Sequence, residues 1–471
     1  MKNTTKKNLK TLAAAVLLLC LGAPETAKAG PVTVREAVEK ALNTNPEIKA
    51  RFHAFRDVYE EQGVANGGYW PRIDATAGIG REWLRGENVT DKDYWRKGVR
   101  LELSQMLFDG FYTCNQVCRL KHSGQARYFE FMDTMESVGL ESYRSYADVL
   151  RYREMVRLAK RNYDYHQEIF NQVSSRVRAG VGAGVDVSQI SARVALAQSN
   201  YLTELSNLHD VTARFQRIIG ELPEENMQAA LLPTDGIPAT ASDALKDAYQ
   251  HNPGFLATMS DINAAKHAVK VQESKFYPRL DFKARHDWSW DLDGIDGRQD
   301  ESVVELVMTY NILNGGSDAA AVRQYREKMY RSVDMKDKAA TDLRQTMTIA
   351  YNDRQIIGQQ VRYLDAHRKN LDQVRVAYRE QFNIGKRTLL DLLDTENEYY
   401  QAQRAYYNGF FDLTIANARA LAGMGKLLTT MNVVRGELPS LKDINIPLPR
   451  VTDEDVPPVE IPVPVTMAKK F

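Results

Sequence analysis

Tyr69-Trp70-Pro71-Arg72-Ile73-Asp74 and Phe276-Tyr277-Pro278-Arg279-Leu280-Asp281 decide the fold, because they are one passage written twice. Asn45-Pro46 recurs as Asn252-Pro253 and Trp83 as Trp290 in the same register, 207 positions on. Further along, Leu107-Phe108-Asp109-Gly110 matches Ile312-Leu313-Asn314-Gly315, all 205 positions on, and Gly180, Asp186, Tyr201 and Gly220 match Gly385, Asp391, Tyr406 and Gly425 at that same offset. Self-similarity over such a length means two copies of one structural unit. The offset changes between Trp83 and Gly110, and the polar stretch from Gly86 to Asp93 has the composition of a surface loop that tolerates an insertion. The repeats are expected over residues 30–238 and 239–435, with a Pro-rich, extended or disordered tail over 436–471.

The placement of proline outlines the elements. The chain has 16 prolines, yet none lies between Arg72 and Leu222 or between Arg279 and Leu438. Helix interiors exclude proline, so both windows have room for very long helices, predicted over residues 112–178 and 317–382. At 1.5 Å per residue either one reaches roughly 100 Å. Leu343, Ala350, Ile357, Leu364, Leu371 and Tyr378 recur at heptad spacing, with Met347 and Val361 on the adjoining seam. That repeat predicts side-by-side packing along the length, although Arg354, Arg368 and Arg375 interrupt the second seam and argue for a wall of helices with one wetter face. Shorter helices are expected over residues 187–219 and 392–422. Thr33 and Ser242 have the chemistry of N-caps opening the two repeats.

The first thirty residues bear on where these helices reside. Lys2, Lys6, Lys7 and Lys10 precede an apolar run from Leu12 to Leu21, and Ala27-Lys28-Ala29 follows. That is the layout of a secretory signal peptide over residues 1–29. The run is far shorter than the ~20 residues a spanning helix needs. Cys20 raises the question of lipidation, but bulky Leu19 stands before it where a small residue belongs. The 62 basic and 61 acidic residues cancel, so the electrostatic footprint of a nucleic-acid binder is missing. Cys114 and Cys118 are expected as a local crosslink or inert thiols, in a spacing that suits neither zinc nor a redox dithiol. The eight histidines are scattered and no nucleophile motif occurs, so neither a catalytic site, nor a metal, nor a cofactor is expected.

Between each proline and the following glycine the hydrophobic period drops to two. Ile73, Ala75, Ala77 and Ile79 alternate with small or charged residues, as do Val99, Leu101 and Leu103, then Leu280, Phe282 and Ala284, then Val304, Leu306, Met308 and Tyr310. Strands are predicted at about 72–84, 95–108, 279–291 and 301–313. Tyr69, Trp70, Trp83, Trp95, Phe276, Tyr277, Trp288 and Trp290 cluster near their ends, where the aromatics of a membrane barrel sit. A half-buried soluble sheet gives the same alternation; the leader and the duplication favour the membrane. Four strands leave two open edges, which lipid does not tolerate. Two copies make eight strands around a filled interior, whereas three make twelve around a lumen. A homotrimeric channel is the simplest closed solution.

The ordered duplicate of Asn-Pro and Pro-Arg-Ile/Leu-Asp, together with Phe382-Asn383-Ile384-Gly385-Lys386-Arg387-Thr388-Leu389-Leu390-Asp391-Leu392-Leu393-Asp394, resembles the TolC family of outer-membrane channel-tunnels over residues 33–428. The resemblance implies a mostly helical fold with a transmembrane β portion, a twelve-stranded barrel shared by three chains and a long periplasmic tube. It also implies the periplasmic adaptor and inner-membrane transporter as partners, the latter of ABC type, beside outer-membrane lipid. By resemblance Asp391 and Asp394 fall in the constriction as a gating and selectivity ring. Asp391 also has the position of a helix cap. Crowded carboxylates select cations and raise one another's pKa. Arg387 and Thr388 with Asp186 are expected to lock the entrance, and Trp83, Trp95, Trp288 and Trp290 to sit at the membrane interface. Phe382 stands where the family has tyrosine, and the first turn, Ala179-Gly180-Val181-Gly182-Ala183-Gly184-Val185-Asp186, is unusually rich in glycine. It follows a helix, so it reads as a flexible turn and not a dinucleotide fingerprint.

The closing segment of the second repeat resembles type I secretion ducts more than drug pumps. A multidrug efflux duct is the first alternative. A periplasmic coiled-coil adaptor is the second, and it would need a compact β-domain in place of two aromatic-flanked strand pairs.

Overall fold

The computed structural model describes residues 30–86, 89–230, 234, 236–293, 295–433, 449–452 and 455–456. The signal peptide expected over 1–29 and most of the tail expected over 436–471 lie outside the described residues. The first repeat contains α1 (Val34–Thr44), α2 (Pro46–Asn66), β1 (Arg72–Gly86), β2 (Val89–Phe108), α3 (Tyr112–Arg178) and α4 (Gly184–Ile219). The second contains α5 (Ala241–His251), α6 (Pro253–Glu273), β3 (Arg279–Leu292), β4 (Ile295–Thr309), α7 (Ser317–Asn383) and α8 (Leu389–Gly423), and a short α9 (Leu427–Thr430) closes it.

Local chemistry sets these boundaries twice over. Thr33 and Glu36 form a capping box at α1, and Asn45 caps α2 with Pro46 in its first turn. In the second repeat Asn252 and Pro253 do the same for α6. The cap of α5 is Thr240, whose side chain accepts from the Asp243 N–H, and not Ser242, which falls inside the first turn. Thr240 stands 207 positions from Thr33, so the repeat register outranks the local preference for serine. α4 and α8 begin three residues earlier than the apolar pattern indicates, directly after the caps Ala183 and Thr388.

The strands are antiparallel in the order β1-β2-β3-β4. β2 starts at Val89 instead of near residue 95, and β4 covers 295–309 instead of 301–313. Gly86 pairs with Val89 and Leu292 with Ile295, so the hairpins are tighter than the polar stretch from Gly86 to Asp93 implies. Polar residues complete the ladder there as well as apolar ones do, and Arg81 donates to both oxygens of Asp93 on the facing strand, at 2.8 and 2.6 Å.

Cross-strand partners share a face of the sheet. The register joins Ile73, Leu103, Ala284 and Val304 in one row and Ala77, Val99, Trp288 and Asp300 in another. Ile79, Trp83, Trp95 and Trp290 belong to this same face. The opposite face carries Glu102, Arg285 and Val303, then Arg100, Asp287 and Glu301. β1 and β4 are edge strands, and Ile73, Ile79, Val304, Leu306 and Met308 are all more than 60% exposed, so both edges and the apolar face are left uncovered among the described residues.

The main core lies midway along α3, where the short helices of both repeats meet. Tyr143 and Tyr146 are fully buried; Tyr143 donates to the Ala230 carbonyl at 2.9 Å, and Tyr146 is bound to those of Val32 and Gln228 at 2.6 and 2.8 Å. Part of the tail returns to this core: Val451 and Val456 pack on it, and Asp455 lies 4.0 Å from the buried Lys336 of α7. Beyond the core α7 and α8 pack along the heptad seam, with Gly409 letting Leu364 and Val361 approach closely. Where arginine interrupts the seam, α8 supplies a matching surface. Arg354 donates to Asn417 at 3.1 Å, Arg368 lies over the Tyr406 ring at 4.4 Å and Arg375 over Tyr399 at 4.8 Å.

Candidate functional site: the helical end remote from the sheet

The long helices carry the chain some 100 Å from the strands to two turns that have one construction. Each closes on a left-handed glycine, Gly180 with φ 79° and Gly385 with φ 75°. Gly180 N–H donates to the Val177 carbonyl and Val181 N–H to that of Arg176, both at 3.0 Å; Gly385 and Lys386 repeat this on Phe382 and Gln381. The left-handed backbone is what reserves both positions for glycine. Below the turns, Tyr165, Ile169 and Val173 of α3, Ile190 of α4, Phe382 of α7 and Leu392 and Leu393 of α8 form one apolar cluster. All four helices are knitted together there.

The second turn is built around Thr388. Its hydroxyl accepts from the Asp391 N–H at 3.2 Å and donates to Asp391 Oδ2 at 2.8 Å, while Thr388 N–H reaches that same oxygen at 3.2 Å. These bonds hold the Asp391 carboxyl below its ordinary range, opposing the rise that crowding would bring. Asp391 is thus a capping-box residue whose charge stays on the turn surface. Asp394, one turn on, accepts from Arg193 Nη2 of α4 at 2.7 Å.

Arg387 and Asp186 are not brought together within one chain. Arg387 lies over the Tyr378 ring at 4.1 Å, donates to Gln381 Oε1 at 3.0 Å and stands 3.9 Å from Asp391. Asp186 occupies the first turn of α4 and has no ion-pair partner among the described residues. Deeper in, Arg375 lies 3.6 Å from the buried Glu396, whose carboxyl burial pushes up against the pull of that guanidinium. Arg404 reaches Glu204 at 2.6 Å and so ties α8 to α4.

Arg193, Arg404 and Tyr378 were not legible as partners in the sequence. The one available signal was that Arg193 stands a heptad after Asp186, on the same face of α4. At the far end of the molecule, Trp83 and Trp95 are 63% and 61% exposed and stand on the apolar face with Trp288 and Trp290. Cations sit over two of these rings: Arg81 over Trp83, and Lys97 and Arg298 over Trp290.

Comparison with known proteins agrees with this architecture. The family model described as outer membrane efflux protein matches residues 37–221 and 244–424, one stretch in each repeat. The chain is 25% identical over 433 residues to the outer membrane efflux protein BepC of Brucella suis, covering 91% of this chain and 92% of that one. It is 24% identical to the alkaline protease secretion protein AprF of Pseudomonas aeruginosa, with 85% and 87% covered. Among solved structures, the open-state MtrE outer membrane channel of Neisseria gonorrhoeae superposes with a TM-score of 0.72 at 17% identity, over 85% of this chain and 90% of that one. The chain belongs to the outer membrane efflux protein family, the TolC-like channels of the outer membrane in which a trimeric β-barrel continues as a helical periplasmic tunnel.

Proposed function

We propose that this outer-membrane channel is the exit duct of a type I protein secretion system, carrying polypeptide from an ABC-type inner-membrane transporter and its periplasmic adaptor to the exterior. The observation that carries the reading is the near full-length likeness to a protease secretion protein, together with the closing segment Gly385 to Asp394. Three chains complete the barrel, with Trp83, Trp95, Trp288 and Trp290 at the membrane interface and the paired charges of the opposite sheet face toward the lumen.

In this reading Asp391 and Asp394 ring the constriction. Each already has a cation nearby, Arg387 for Asp391 and Arg193 for Asp394, so the ring acts as a moderated cation filter. Asp186 has no ion-pair partner among the described residues, and the proposed lock joins it to Arg387 across a subunit boundary, with Thr388 holding the turn in shape. A second reading, multidrug efflux, is favoured by the likeness to BepC. Deletion of the gene separates the two readings. Loss of a secreted protein from the culture medium with unchanged drug susceptibility supports secretion, and hypersensitivity to drugs with an intact set of secreted proteins overturns it.

A further inference from the structure

Cys114 and Cys118 lie in the first two turns of α3, immediately below the barrel, both as free thiols, the former exposed and the latter half-buried. They are four residues apart on one helix, which puts them one turn apart on the same face. Side chains at that spacing have Cβ atoms about 5–6 Å apart, whereas a disulfide needs about 3.5–4.5 Å. Oxidation to a disulfide therefore requires the helix to deform, and the reduced pair is the relaxed state. Burial also pushes the Cys118 thiol up, which keeps its reactive thiolate scarce.

A bridging ion fits where a direct bond does not. Two metal–sulfur bonds of about 2.3 Å each, set in line, span about 4.6 Å, a distance the two rotatable side chains reach without moving backbone. Soft monovalent or divalent cations prefer thiolate ligands, and two in line are enough to hold one. Among the described residues no three His, Cys, Asp or Glu side chains are grouped to hold a metal ion, so the two thiols have no third ligand of those types beside them. Lys121 and Lys270 are the cations bearing on Cys118, and they offset the charge that two thiolates bring.

We propose that Cys114 and Cys118 form a two-coordinate binding site for a thiophilic cation of the Ag(I), Cu(I) or Hg(II) class. On binding, each thiol releases its proton to solvent, two metal–sulfur bonds form, and no electron is transferred. The test uses the full-length, detergent-extracted protein titrated with Ag(I) in chloride-free buffer, with bound metal counted by native mass measurement and thiol access by maleimide labelling. The proposal expects one Ag(I) per chain, protection of both cysteines from maleimide, and loss of binding in Cys114→Ser and in Cys118→Ser alike. Binding that persists in either single variant overturns it, as does protein that binds no Ag(I) or that is isolated with the two cysteines already joined. Retained trimer mass in the serine variants shows that a loss of binding is not a loss of fold.

Discussion

Arg193 of α4 and Asp394 of α8 are joined by a hydrogen-bonded ion pair of 2.7 Å, which fastens the first hairpin of the tunnel to the second one turn below its tip. A partly exposed pair of this kind contributes up to about 1 kcal/mol, which is roughly a fivefold change in an open-to-closed ratio. Arg193→Ser and Asp394→Asn are each expected to raise the open probability of single channels in planar bilayers by about that factor. The double variant should add little to either single one, because both remove the same contact.

Asp391 and Asp394 together set the ion preference in the proposed ring. Replacing both with Ala should lower the cation-to-anion permeability ratio, read from reversal potentials in a salt gradient. The pH dependence follows from the Thr388 bonds. The folded Asp391 carboxyl is lowered from its ordinary 3.8, so its charge is fully present above that value and is lost only as pH falls through the lower, folded value. Selectivity should therefore persist to more acidic solution than for an unbonded aspartate, and Thr388→Ala should move its loss to higher pH.

The proposed lock makes a further demand. Arg387→Ser and Asp186→Ala should each raise resting conductance, with a double variant no greater than the larger single effect. Because Arg387 also rests on Tyr378, Tyr378→Leu should act in the same direction and more weakly.

Glu136 of α3 is buried and accepts the Leu428 N–H of α9 at 3.4 Å. Burial pushes its carboxyl up from 4.5 to about 7. A folded-state value above the unfolded one means that its contribution to stability is fully present below about pH 4.5 and is lost as pH rises through about 7. The ionised form costs on the order of 3 kcal/mol per chain. Glu136→Gln should leave the melting temperature nearly unchanged at pH 5 and raise it at pH 8.5, measured by calorimetry on the detergent-extracted protein.

The sequence carried the frame of this molecule because its strongest signals are exclusions and repetitions. Proline is forbidden inside α3 and α7, and Gly180 and Gly385 hold backbone that other residues adopt only under strain, so the long helices and both turns were legible. The outer ends of the strands were not, because Asp93 and Arg81 serve the ladder without the apolar alternation that marks a strand. The partners of Asp394 and Arg387 were hidden for another reason: which face of α4 meets α8 depends on how four helices rotate about their axes, and no single-helix pattern contains that angle. Val451 and Val456 lie in a segment whose prolines read as extended chain, yet they find the apolar surface of the core.

The central claim is that one chain supplies a third of a closed duct. Four strands in the order β1-β2-β3-β4 leave the outer edges of β1 and β4 without a partner strand among the described residues, and strand edges in lipid demand partners. Native mass measurement of the full chain, extracted from the membrane fraction in mild detergent, tests this most directly. The account predicts a single species of three chains. A stable, water-soluble monomer would contradict it.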